Sequence, residues 1–167
     1  MCIRDSAKGA SVLRQLVAWV GQENFMAGVR AYIAQHAWGN TELPDLMSEL
    51  EAASGRDLSE WTRLWLETSG VNTLRTEVET DEADTITALR LRQSAPDGSP
   101  SAPGDDVLRP HRLAVGFYDV DEATGRLTRT ERFELDVAGE VTEVAEAAGR
   151  RRPAVILPND DDLAYAK

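Results

Sequence analysis

Cysteine is almost missing from this sequence, with one residue, Cys2, among 167. A lone thiol makes no internal disulfide, which points to a reducing compartment. Histidine is scarce as well, at two residues. His36 and His111 lie in different parts of the chain, neither has a second histidine at i+4, and no cysteine pair accompanies them, so neither opens a recognised zinc spacing. Positive charge is short: 18 Lys and Arg stand against 29 Asp and Glu, for a formal net charge of −11. That balance excludes a basic face for a phosphate backbone or an anionic bilayer surface. No apolar run approaches the roughly 18 residues that cross a bilayer, and no charged n-region with an apolar h-region opens the chain. A cytoplasmic protein with no nucleic-acid partner and no membrane partner is expected.

What is present is a hydrophobic content of 42%, enough to bury a core in one large domain or two small ones. Residues 1–6 carry mixed charge and no period. From Ala7 a helical pattern sets in: Val12, Leu13, Leu16, Val17 and Val20 share one face until Gly21, a residue that takes a left-handed C-cap cheaply. Phe25, Met26, Val29, Tyr32 and Ile33 predict a second helix to about His36, broken at Trp38, Gly39 and Asn40. Thr41 as N-cap, Pro44 in the first turn, and Leu43, Leu46, Met47 and Leu50 predict a third helix, closed by Gly55. Asp57 with Glu60 resembles a capping box for a fourth, whose stripe is Leu58, Trp61, Leu64 and Trp65.

From Val71 the period becomes alternating. Residues 72–80, 85–93, 110–119, 127–137 and 154–157 predict strands, with His111, Leu113, Val115 and Phe117 on one face. Phe133, Leu135 and Val137 repeat that parity. The segment 94–106, rich in Pro, Gly, Ser and Asp, predicts a long exposed connection. Antiparallel order with short turns suggests a small β-sandwich.

Chemistry is hard to find in these residues. Asp160, Asp161 and Asp162 lack the alternating ligands, central glycine and closing glutamate of a calcium loop, and predict a solvated turn. Arg150, Arg151 and Arg152 predict a surface loop. No glycine-rich phosphate loop is present, and Ser6, Ser11 and Ser59 have no histidine near them in sequence.

The order of residues says more. Lys8-Gly9, Ala10, Ser11, Val12 and Leu13 are followed by Gly21, Phe25, Gly28, Tyr32, His36 and the Gly39-Asn40-Thr41 turn. Leu46, Ser54-Gly55, Leu58, Trp61, Trp65-Leu66 and Thr68-Ser69-Gly70-Val71-Asn72 complete a series that resembles the M1 zinc aminopeptidases. Further on, 108–113 and 159–167 are similar to the β-sandwich that follows the catalytic domain in bacterial members. The resemblance implies an α+β fold: residues 1–6 foreign to the family or disordered, 7–71 the helical C-terminal part of a thermolysin-like catalytic domain, and 72–167 a small antiparallel β-sandwich.

The family's function is hydrolysis of N-terminal amino acids from peptides, with zinc as cofactor. Its two ligand histidines, the general-base glutamate between them and a further ligand glutamate would all lie upstream of Ala7. The resemblance therefore implies no metal ligand and no catalytic residue in this chain, and no zinc bound by it. The family tyrosine that donates to the developing oxyanion has its place at Ser6, whose hydroxyl falls short of a phenol's reach. Losing such a donor costs about 10²–10³ in rate. Lys8, Gly9, Gly39, Asn40, Trp61, Trp65, Gly70 and Asn72 carry the family pattern in a structural role. The implied partners are peptide substrates of the parent enzyme, upstream catalytic-domain segments and a downstream helical domain. A non-catalytic scaffold or interaction protein is the alternative.

Overall fold

The computed structural model describes residues 3–96 and 107–167, with side chains from Gly9 onward. Cys2 and most of the 94–106 connection lie outside the described residues. Two compact units divide the chain, one ending at Thr68 and the other beginning at Ser69.

The first unit holds four helices: α1 (Ile3–Val20), α2 (Gln22–Gln35), α3 (Leu43–Ser54) and α4 (Ser59–Leu66). α1 begins four residues before Ala7, since Ile3 to Ser6 contain neither glycine nor proline to stop it. It buries Val12, Leu16 and Val20 and leaves Leu13 outside, 52% exposed. Gly21, at φ +86°, joins α1 to α2 by accepting the Phe25 amide and donating to Val17. α2 departs from the expected stripe: Gly28 is its buried residue, while Met26 and Ile33 are exposed. Gly28 lies against α3, where a Cβ would stand 2.8 Å from Leu50 Cδ2 and 3.0 Å from the Glu49 carbonyl oxygen.

Helix starts also differ from expectation. α3 is capped by Glu42, whose amide donates to the Asp45 carboxylate at 2.8 Å. Thr41 is turned instead to the Tyr32 hydroxyl. Asp57 accepts the Ser59 amide at 2.8 Å, but Glu60 completes no capping box and pairs with Arg63 at 3.4 Å. The Leu58 amide goes to the Glu51 carboxylate of α3 at 2.7 Å.

The second unit contains β1 (Thr73–Thr80), β2 (Ile86–Ser94), β3 (His111–Val120), β4 (Leu127–Val137), β5 (Val141–Glu143) and β6 (Val155–Pro158). They form two three-stranded antiparallel sheets, in the orders β1-β2-β5 and β4-β3-β6. Alternation explains the packing: Leu89 and Leu91 from one sheet meet Leu113, Val115, Phe117 and Phe133 from the other in a common core. Phe117 and Phe133 touch edge to face, 5.0 Å between centroids. Each fully buried leucine here stabilises the fold by about 1.5–3 kcal/mol. β5 and the short 3-10 turn Ala145–Ala147 add elements the alternation does not predict.

Candidate functional site

The helical unit presents an apolar cleft of about 360 Å³. α1 lines it with Gly9, Val12, Leu13 and Leu16, α3 with Leu43, Leu46 and Met47, and α4 with Trp61, Trp65 and Leu66. Helical spacing puts these side chains together, because positions three and four apart share a face. Trp61 and Trp65 stack at 5.9 Å and are almost wholly buried. Nothing in the lining is titratable, so the cleft can take an apolar surface but cannot move a proton. Gly9 faces open space where a side chain would stand. Ser6 and Lys8 fall in the first turns of α1, and their side chains lie outside the described residues.

Gly39 and Asn40 sit in the exposed turn after α2, where the Gly39 amide donates to the His36 carbonyl at 3.1 Å. His36 is half-buried, its ring 5.4 Å from that of Tyr32. Gly70 and Asn72 belong to the second unit. Gly70 adopts φ +90°, and a Cβ there would stand 2.5 Å from Pro96. Asn72 is fully buried and forms the centre of a polar knot. Its amide nitrogen donates to the carbonyls of Ser94 and Val107. Its oxygen accepts from Arg109 Nη1 at 2.8 Å, and Arg109 Nη2 donates to the Ser69 carbonyl at 2.9 Å. Gln93 closes the knot by donating to the Arg109 carbonyl at 2.9 Å.

Burial lowers the pKa of the Arg109 guanidinium below its ordinary value. Beside it His111 is wholly inside the sandwich, and burial, then the Arg109 charge, push it down to about 4. It is neutral at pH 7. Arg109 and Gln93 are members of this knot that the residue patterns did not single out. The signal for Arg109 was its place in 108–113, one of the stretches that carry the family resemblance.

The Asp160 turn is a correction. Its side chain is 1% exposed rather than solvated, taking hydrogen bonds from the Tyr118 hydroxyl and from Arg129 Nη1 at 2.7 Å. Gly116 makes the room, since a Cβ there would stand 2.6 Å from the Asp160 carboxyl carbon. Burial pushes the Asp160 carboxyl up, but the Tyr118 and Arg129 bonds outweigh it and hold the group below its ordinary value. Arg150 and Arg151 pair on the surface with Glu131 and Asp119.

Among the described residues no group of three or more His, Cys, Asp or Glu could hold a metal ion. No described helix is long and apolar enough to cross a membrane.

Residues 5–74 match the Peptidase family M1 domain. The chain is 57% identical over 161 residues to an aminopeptidase N of Streptomyces lividans, covering 96% of this chain and 19% of the relative. It belongs to the M1 peptidase family.

A second M1 relative, aminopeptidase 2 of Candida albicans, is 28% identical over 139 residues, 83% of this chain and 15% of that protein. The crystal structure of Legionella pneumophila aminopeptidase A in complex with aspartic acid has the same fold, with a TM-score of 0.57 at 19% identity, over 92% of this chain and 15% of that one. The chain thus spans about a fifth of the M1 relative it matches at 57% identity or less of the others. The M1 match begins at residue 5, two residues before the helical period becomes legible.

Proposed function

We propose that this chain is a segment of a zinc-dependent M1 aminopeptidase that removes N-terminal amino acids from peptides in the cytoplasm. In this reading 7–71 is the helical C-terminal part of the catalytic domain and 72–167 is the β-sandwich that follows it. The observation that carries it is the 57% identity to an aminopeptidase N across nearly the whole chain. Peptides are the substrates of the parent enzyme, and the net charge of −11 supports the absence of a nucleic-acid partner.

The residues present do not fit a zinc site. His36 and His111 fall in different units, and among the described residues no cluster of three or more His, Cys, Asp or Glu could hold a metal ion. Hydrolysis is therefore assigned to residues of the parent other than these, and the contribution of this chain is positional. The apolar cleft of α1, α3 and α4 supports a packing role, with the upstream part of the catalytic domain as its cover and a helical domain downstream as a further partner. No observation favours the non-catalytic scaffold over this reading.

The purified 167-residue chain tests the assignment. Neither tight stoichiometric zinc by calorimetry nor turnover of an aminoacyl amide is expected, and both together would overturn it.

A further inference from the structure

Residues 159–167 run from one sheet of the sandwich to the other. Asn159 directly follows β6, in the sheet β4-β3-β6. The Lys167 backbone is bonded to the facing sheet: its amide donates to the Asn72 carbonyl at 2.9 Å, and its carbonyl accepts from the Leu74 amide of β1 at 2.8 Å. Between these two anchorages Ala164 enters the common core.

Little apolar surface holds this segment in place. Ala164 alone of 159–167 is buried, and an alanine side chain gains far less from burial than the leucines and phenylalanines around it. The path of the segment also needs positive φ at two residues other than glycine, Asn159 at +58° and Asp162 at +51°, which L side chains adopt at a cost.

What opposes release is polar. The Asp160 carboxylate accepts from the Tyr118 hydroxyl of β3 and from Arg129 Nη1 of β4 at 2.7 Å, and bonds to an ionised acceptor are the stronger kind. Its seat exists because Gly116 has no side chain, and the Asp160 amide adds a bond to the Ala114 carbonyl at 2.9 Å. The Asn159 side chain then brackets Ala164, accepting from its amide at 2.7 Å and donating to its carbonyl at 3.0 Å. The turn on β3 and the residue in the core are thereby made one piece.

We propose that residues 159–167 form a strap across the two sheets that opens as a unit, and that the Asp160 carboxylate seated over Gly116 is the latch that keeps it shut. Segments with few buried apolar contacts open before the whole domain does. Release of the latch on one sheet therefore frees the bonds at Lys167 on the other, while the paired strands stay folded. The inference goes beyond the proposed activity and stands whether or not the parent hydrolyses peptides.

The test is amide hydrogen exchange, read by NMR on the 167-residue chain. Three amides report on the strap: Ala164, Lys167 and Leu74. Two serve as references, Ile86 bonded to the Arg150 carbonyl and Gln93 bonded to that of Glu140. In the unsubstituted chain the three should share one opening constant that changes little with low urea, since a small opening exposes little surface. Asp160→Asn should speed all three by a common factor on the order of tenfold to a hundredfold, as for the loss of a bond to a charged group, and the references far less. Tyr118→Phe keeps the Arg129 bond and should speed the same three by a smaller common factor, although the change lies on β3. Acceleration confined to the amides of 160–162, unequal factors among the three, or equal acceleration of Ile86 and Gln93 would each overturn the proposal.

Discussion

His111 is where one side chain couples most strongly to solution conditions. Buried beside Arg109, it has its pKa pushed down to about 4, whereas the unfolded chain titrates near 6.5. Between those values the unfolded chain binds a proton that the folded one refuses. The stability is therefore full above about pH 6.5 and is lost as pH falls towards 4, on the order of 3 kcal/mol in all. Urea midpoints measured across that range should fall with acidity, and His111→Leu should flatten the profile; a flat profile in the unsubstituted chain would contradict this. Asp160 acts in a lower window. Its pKa lies below the ordinary carboxyl value, so its contribution is present above that value and disappears as pH falls through the folded pKa.

Between elements, one contact sensitive to volume is the crossing of α2 and α3 at Gly28, where backbone as well as side chain stands in the way. A methyl group there meets the Leu50 side chain and the Glu49 carbonyl, and the carbonyl cannot turn aside. Gly28→Ala should destabilise the helical unit by about 1–3 kcal/mol despite alanine's better helix propensity, as read from its thermal midpoint. An unchanged or raised midpoint would show that the helices separate freely. This glycine stood in the family series, but its reason was not legible, since the pattern of one helix does not show how near its neighbour comes. The same limit explains α2, whose apolar stripe is only partly covered. Strand faces were easier: His111, Leu113, Val115 and Phe117 alternate because one side of β3 meets the opposite sheet. β5, at three residues, was too short to show a period. Asp160 was misread because three carboxylates in a row suggest water, while Tyr118 and Arg129, which make its burial tolerable, come from distant strands. Of the candidate residues, Trp61 and Trp65 could be placed on a buried face from spacing; the knot of Asn72 and Arg109 needed the tertiary structure.

For the molecule as a whole, apolar surface left open is the dominant fact. Leu13, Leu43 and Leu66 are 52%, 47% and 43% exposed along the cleft of the helical unit. The isolated chain should brighten a hydrophobic dye strongly, and Leu13→Gln should weaken that signal without unfolding the chain. Cooperative unfolding with no dye binding would speak against a covered cleft in the parent protein. One further exposed group has an optical consequence. Trp38 stands wholly in solvent at φ +68°, whereas Trp61 and Trp65 are nearly sealed from it. Its emission will therefore lie at long wavelength and be open to iodide, while theirs will be shielded. Any surface that comes to rest on the turn after α2 will shift that emission to shorter wavelength, so the chain carries a fluorescent reporter of its own docking without an added label.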